Sequence, residues 1–177
     1  MQHKRLLVGI IATFSVAVVA VVTSLPILFW NVRRPRFSLE DKVESFYVRY
    51  ESGGNMTIYP STSEGTALLS GSQNYMSNIH AQLMWATSDE EVAYAKNSTQ
   101  YVEVKLKNTY NFTFYVRLST VDRVEKANRI LLFLSGSYRG TILFASVEND
   151  RIAYGGSYGV ESGVSEFQEL VNGFQIK

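Results

Sequence analysis

The chain has 177 residues, 17 basic and 16 acidic side chains, a formal net charge of +1 and no cysteine. Near-neutrality removes the electrostatic case for nucleic acid, since phosphate binding needs an excess of clustered Lys and Arg. The missing thiols exclude disulfide frameworks, thiol catalysis and thiolate-ligated metals, so stability has to come from packing.

Residues 1–5 are a short basic tail with Lys4 and Arg5, expected to be cytoplasmic. Leu6 to Trp30 then runs for 25 residues without a charged side chain. A hydrocarbon core about 30 Å thick needs roughly 20 apolar residues in a helix. The run is therefore expected to be a transmembrane signal anchor, with the lipid bilayer as its partner. It is too long for the apolar stretch of an ordinary cleaved signal. Trp30 falls at interfacial depth, and Arg33, Arg34 and Arg36 follow it in a basic linker over residues 31–42 that reads as a headgroup contact.

Positive charge flanks both ends of the span, so the side is argued from other signals. Three acceptor sequons, at Asn55, Asn97 and Asn111, and the shortness of the basic tail both favour an extracytoplasmic position for residues 43–177.

Removing the anchor leaves about 140 residues, enough for one domain with a real core. Short runs rich in Val, Ile, Tyr, Phe and Thr recur there, separated by Gly, Ser, Asn and Asp, which is the all-β signature. Strands are predicted near 43–50, 56–60, 66–70, 79–86, 91–95, 100–107, 111–119, 129–135, 141–148 and 151–155. In Tyr101 to Lys107, Val102, Val104 and Leu106 alternate with charged residues, giving one core face and one wet face. Asn149-Asp150, between apolar runs, suits a tight hairpin. Val164, Phe167, Leu170, Val171 and Phe174 recur at three- and four-residue spacing, predicting an amphipathic helix over 163–174, with Ser162 or Ser165 as its cap.

Two series of strands echo each other. Asn55-Met56-Thr57-Ile58-Tyr59 resembles Asn111-Phe112-Thr113-Phe114-Tyr115, Leu69-Ser70-Gly71-Ser72 resembles Leu134-Ser135-Gly136-Ser137, and Val92-Ala93-Tyr94 resembles Ile152-Ala153-Tyr154. A duplication over 43–100 and 101–160 would give a pseudo-symmetric antiparallel sandwich or a closed barrel.

Chemistry-bearing motifs are sparse. Gly155-Gly156-Ser157-Tyr158-Gly159 matches G-x-S-x-G, but that motif needs a strand-turn-helix and a histidine downstream, and none follows. His80 has no second histidine in the domain to share a metal with, and Asp89-Glu90-Glu91 reads as a solvated acidic turn. No cofactor and no enzymatic activity are expected. The aromatic load is different: 11 Tyr, 10 Phe and two Trp make 13 % of the chain. Tyrosine on strands packs a sandwich, or presents a face to a protein or carbohydrate partner.

At Arg33-Arg34-Pro35-Arg36-Phe37-Ser38 the chain resembles the membrane exit of LEA-2 proteins, the family that contains the water-stress and hypersensitive-response domain. Val102 to Phe112 is similar to that family's alternating strand running into a turn, although the diagnostic proline is absent after Asn108. The resemblance implies a seven-strand β-sandwich without catalytic residues and a role in stress protection or surface interaction.

The sequence thus points to a membrane-anchored structural or interaction module that is not an enzyme. The alternative is a membrane-proximal domain binding a lipid or other apolar ligand in a cavity lined by Phe112, Phe114, Leu132, Leu143 and Phe144. An unpaired strand edge would also permit self-association.

Overall fold

The computed structural model describes residues 37–175 apart from 86–87, 117–121 and 150. The span expected at 6–30, with Lys4, Arg5, Trp30, Arg33, Arg34 and Arg36, lies outside the described residues. Among the described residues no helix is long and apolar enough to cross a membrane.

The domain is mostly antiparallel β-sheet. Seven strands run β1 (Val43–Arg49), β2 (Asn55–Ile58), β3 (Ile79–Leu83), β4 (Tyr101–Phe114), β5 (Arg123–Phe133), β6 (Thr141–Glu148) and β7 (Arg151–Val160). Among the described residues three α-helices accompany them: α1 (Ser63–Ser77) and α2 (Asp89–Ser98) between strands, and α3 (Val164–Asn172) after the last. All seven strands belong to one sheet, in the order β2-β1-β4-β5-β6-β7-β3. The layering of a sandwich is kept, but the second layer is helical. The sheet is also open, with the short β2 and β3 at its edges, rather than closed into a barrel.

Alternation of side chains explains the inner face. Phe46, Val48, Val102, Val104, Leu106, Ile130, Leu132, Ile142, Phe144 and Tyr158 are buried in one cluster with Leu68, Tyr75 and Met76 of α1 and Phe167 and Val171 of α3. Each such side chain contributes about 1.5–3 kcal/mol of burial. The two helices meet at Gly71, where a Cβ would stand 2.7 Å from the Phe167 ring. The Tyr75 hydroxyl, deep in this layer, donates to Phe133 O at 2.8 Å. Burial pushes its pKa well above the usual phenol value, and the charge of Arg139 and a backbone hydrogen bond from Gly140 offset only part of that rise.

Two of the predicted strands are helical. Residues 66–70 lie in α1, capped by Thr62, whose Oγ1 accepts from Gly65 N at 3.0 Å. Its buried positions, Leu68, Ser72, Tyr75 and Met76, fall at helical spacing, but Ser72 interrupts the apolar stripe and hides the period. Residues 91–95 lie in α2, started by a capping box between Ser88 and Glu91. The acidic triplet Asp89-Glu90-Glu91 is therefore a helix N-terminus, where carboxylates oppose the helix dipole. The 163–174 helix is present as Val164–Asn172, capped by Gly163 in a left-handed conformation rather than by Ser162 or Ser165.

Of the three echoes, Asn55 to Tyr59 and Asn111 to Tyr115 both fall on strands, in β2 and β4, but the other two fall on unlike elements. Leu69 to Ser72 is in α1 and Val92 to Tyr94 in α2, whereas Ile152 to Tyr154 is in β7. Among the described residues, 43–100 hold three strands and two α-helices, and 101–160 hold four strands and a short 3-10 turn at Gly136–Tyr138. The strand predicted at 100–107 and the start of the one predicted at 111–119 form the continuous β4, which ends at Phe114 and whose register shifts against β5 between Lys105 and Tyr110. On the other edge of β5, facing β6, the Asn128 side chain extends the ladder past Ala145, accepting from Val147 N at 2.8 Å and donating to Val147 O at 2.9 Å. At the β6–β7 hairpin Asn149 has φ 51°, as that turn requires.

Candidate functional site

The outer face of the sheet is only partly covered. Val92 and Ala95 of α2 pack there on Tyr101, Leu131, Phe133, Leu143 and Ala145, with Trp85 and Tyr138 beside them. Trp85 lies edge-on to Phe133 at 5.7 Å and 4.7 Å from Tyr138. Beyond α2, toward β1 and β2, an open groove of about 530 Å³ remains.

Register builds this groove. Tyr47 on β1 stands opposite Thr57 on β2 and Glu103 on β4. Lys105 stands opposite Ser45 on one side and Arg129 on the other. Tyr101 is buried as the floor, its ring 6.1 Å from that of Tyr47, and Tyr59 on the rim is 58 % exposed. The charges are cross-linked. Glu103 meets Lys96 of α2 at 2.8 Å and Arg129 at 3.4 Å, and Lys105 meets Glu44 at 3.2 Å. Lys96 also lies over the Tyr101 ring, 5.4 Å from its centroid. Burial pushes the Tyr101 hydroxyl far above the usual phenol value, and the charge of Glu103 adds to the shift.

A second polar constellation lies at a bulge in β7. The register shifts between Leu143 and Ala145, so that Gly155 and Gly156 together oppose Phe144. Glu125 fills the space left by their missing side chains, since a Cβ on Gly156 would come within 2.4 Å of its carboxylate. Gly156 N and the Tyr158 hydroxyl both donate to that carboxylate. Desolvation, reinforced by this bond and by the charge of Glu125, raises the Tyr158 pKa. Beside it Glu125, Lys126, Glu148 and Arg151 border an open groove of about 850 Å³, where Lys126 and Glu148 pair at 2.9 Å.

The G-x-S-x-G match is this bulged strand and has no strand-turn-helix geometry. Ser157 is buried, and its hydroxyl donates to Leu83 O at 3.2 Å. His80 lies on the edge strand β3 near Gly159, with Nδ1 buried and unbonded. No group of three or more His, Asp or Glu side chains able to hold a metal occurs among the described residues. The sequon residues Asn55, Asn97 and Asn111 are all exposed, on β2, α2 and β4.

The residues proposed to line an apolar cavity fall on both faces of the sheet. Phe112, Phe114, Leu132 and Phe144 are core residues of the inner face, and Leu143 belongs to the outer cluster. Phe37 packs 5.2 Å from Phe114, which stacks on Phe144 at 5.5 Å and meets Tyr158 edge-on at 4.9 Å. The rings occupy one another's space.

Of the groove residues, Tyr101, Glu103 and Lys105 were legible as one face of an alternating strand. Lys96 was not, because it needed α2, whose Ser88-x-x-Glu91 signature was the available sign. No family model, curated protein or solved structure matches this chain.

Proposed function

We propose that the chain is a membrane-anchored interaction module, non-enzymatic, that works on the extracytoplasmic side by presenting the outer face of its sheet to a partner. One observation carries this reading. The inner face is closed by α1 and α3 over a ring-packed core, whereas the outer face leaves a groove lined by Tyr47, Tyr59 and Tyr101. Aromatic side chains with wet polar tips are the usual currency of recognition surfaces.

Placement rests on the uncharged run 6–30, on the basic residues flanking it, and on the three sequons, whose asparagines are open to solvent. The LEA-2 likeness at residues 33–38 suits the same reading.

Protease protection on sealed cells, with a tag following Lys177, tests it. The tag should fractionate with membranes and be lost on protease treatment without permeabilisation. Recovery of the chain in the soluble fraction, or full protection of the tag, would overturn the anchored extracytoplasmic reading.

A further inference from the structure

We propose that the groove between α2 and strands β1, β2 and β4 is a glycan-binding site, selective for sugars that carry carboxylates. The inference rests on the interaction-module reading and names the class of its partner.

Three features of the groove converge on this ligand. Tyrosine rings are arranged in steps, from the buried Tyr101 floor through the half-exposed Tyr47 to the exposed Tyr59 rim. Such flat apolar faces beside polar groups suit the C–H face of a pyranose ring, which is apolar on its faces and polar around its edge. Sugar hydroxyls both donate and accept, and the walls supply both functions. Lys96, Lys105 and Arg129 donate, and Glu44 and Glu103 accept. The charges do not cancel: three cations against two carboxylates leave +1 in the groove. Glu103 already serves two cations, at 2.8 and 3.4 Å, so among the described residues Lys96 and Arg129 share one carboxylate. A ligand carboxylate supplies what is short, and Arg129 can take it in a forked pair.

An acidic peptide such as oligoglutamate would satisfy the charge, and its N–H groups the acceptors, but it has no pyranose face to lay on the rings. That difference makes it the competing occupant in the test. Full-length protein in detergent is titrated with oligosaccharides of galacturonate, glucuronate and sialic acid, with neutral cello- and xylo-oligosaccharides, and with oligoglutamate. At least one acidic sugar should bind saturably and at least tenfold more tightly than the neutral set and the peptide. Tyr59→Ala should weaken that binding by about tenfold, and Lys105→Gln should reduce both affinity and its dependence on salt. Tyr94→Ala, at an equally open tyrosine on α2 (65 % exposed), should do neither. Thermal melts of the variants check that each is folded. The proposal is overturned if no acidic sugar binds, if neutral sugars or oligoglutamate bind equally well, or if Tyr59→Ala behaves like Tyr94→Ala. None of these outcomes depends on protease protection, so a failure here is separable from a failure of the anchored, extracytoplasmic placement.

Discussion

The two faces of the sheet use the same strands to opposite ends. On the inner face, even-numbered positions of β4 and β5 bury Val102, Val104, Ile130 and Leu132 against two helices. On the outer face, Tyr101, Glu103, Lys105 and Arg129 of those strands border a groove that one short helix leaves open. A one-residue slip in register would exchange the two sets, so the core that holds the domain together also dictates where the groove side chains stand. Inner residues are fixed by mutual packing, with little tolerance for lost or added volume. Outer residues are fixed by ion pairs and ring contacts, which are individually weak and open to competition from a ligand.

The contrast predicts unequal costs for disruption. Phe144→Ala removes a ring that meets Phe37, Phe112, Phe114 and Tyr158, and should destabilise by about 3–5 kcal/mol. The melting temperature should fall on the order of 10 °C. A drop of only one or two degrees would mean that the inner face is not the packed side. Gly71→Ala is a sharper probe. Alanine gains about 1 kcal/mol of helix propensity over glycine, yet its Cβ meets the Phe167 ring at 2.7 Å, and overpacking of this kind costs about 1–3 kcal/mol. Phe167 is itself buried and has little room to retreat, so a net loss is expected. A stabilised variant in chemical denaturation would show that α1 and α3 can separate.

How much of this contrast the sequence displays depends on how regular each segment is. Val102-Glu103-Val104-Lys105-Leu106 shows both faces at once, because a strand with one wet side must alternate. The amphipathic α3 is equally plain, as Phe167, Leu170 and Val171 repeat without interruption. In α1 the stripe passes through Ser72, and the Ser-Gly-Gln-Asn background reads as turn rather than helix, so tertiary packing overrides weak local preference. The groove was hidden for a further reason. Its residues come from β1, β2, α2, β4 and β5, and only the order β2-β1-β4-β5 places them together. No spacing within one segment encodes that order.

Smaller effects belong to polar groups. Tyr75, Tyr101 and Tyr158 all have phenol pKa values raised by burial. A group whose folded pKa is raised contributes stability that is complete below its unfolded value and is lost as pH rises past it. The domain should therefore lose stability as pH climbs beyond about 10, and absorbance of ionised tyrosine should rise cooperatively with loss of circular dichroism. A smooth non-cooperative titration of all the tyrosines in the folded state would contradict this. Glu103→Gln leaves Lys96 and Arg129 without their shared carboxylate and should cost about 1 kcal/mol, since the pair is partly shielded from solvent. An unchanged melt in that variant would show the outer network to be replaceable by water.

The pair Lys126–Glu148 marks the weak end of the scale. Both side chains are about 60 % exposed, and the 2.9 Å bond from Lys126 holds the Glu148 carboxyl below its ordinary pKa. A depressed carboxylate contributes stability above its unfolded pKa and loses it as pH falls through the folded one. Solvent and salt screen the pair, so Lys126→Ala should leave the melting temperature unmoved while the Glu148 carboxyl titrates at higher pH, closer to an ordinary glutamate. Nuclear magnetic resonance titration of that side chain, with and without 0.5 M salt on the order of a few-ångström screening length, separates the two readouts. If the substitution shifts the melt as far as Glu103→Gln does, exposure is a poor guide to energy on this molecule, and the distinction between its pinned face and its open face fails at the periphery.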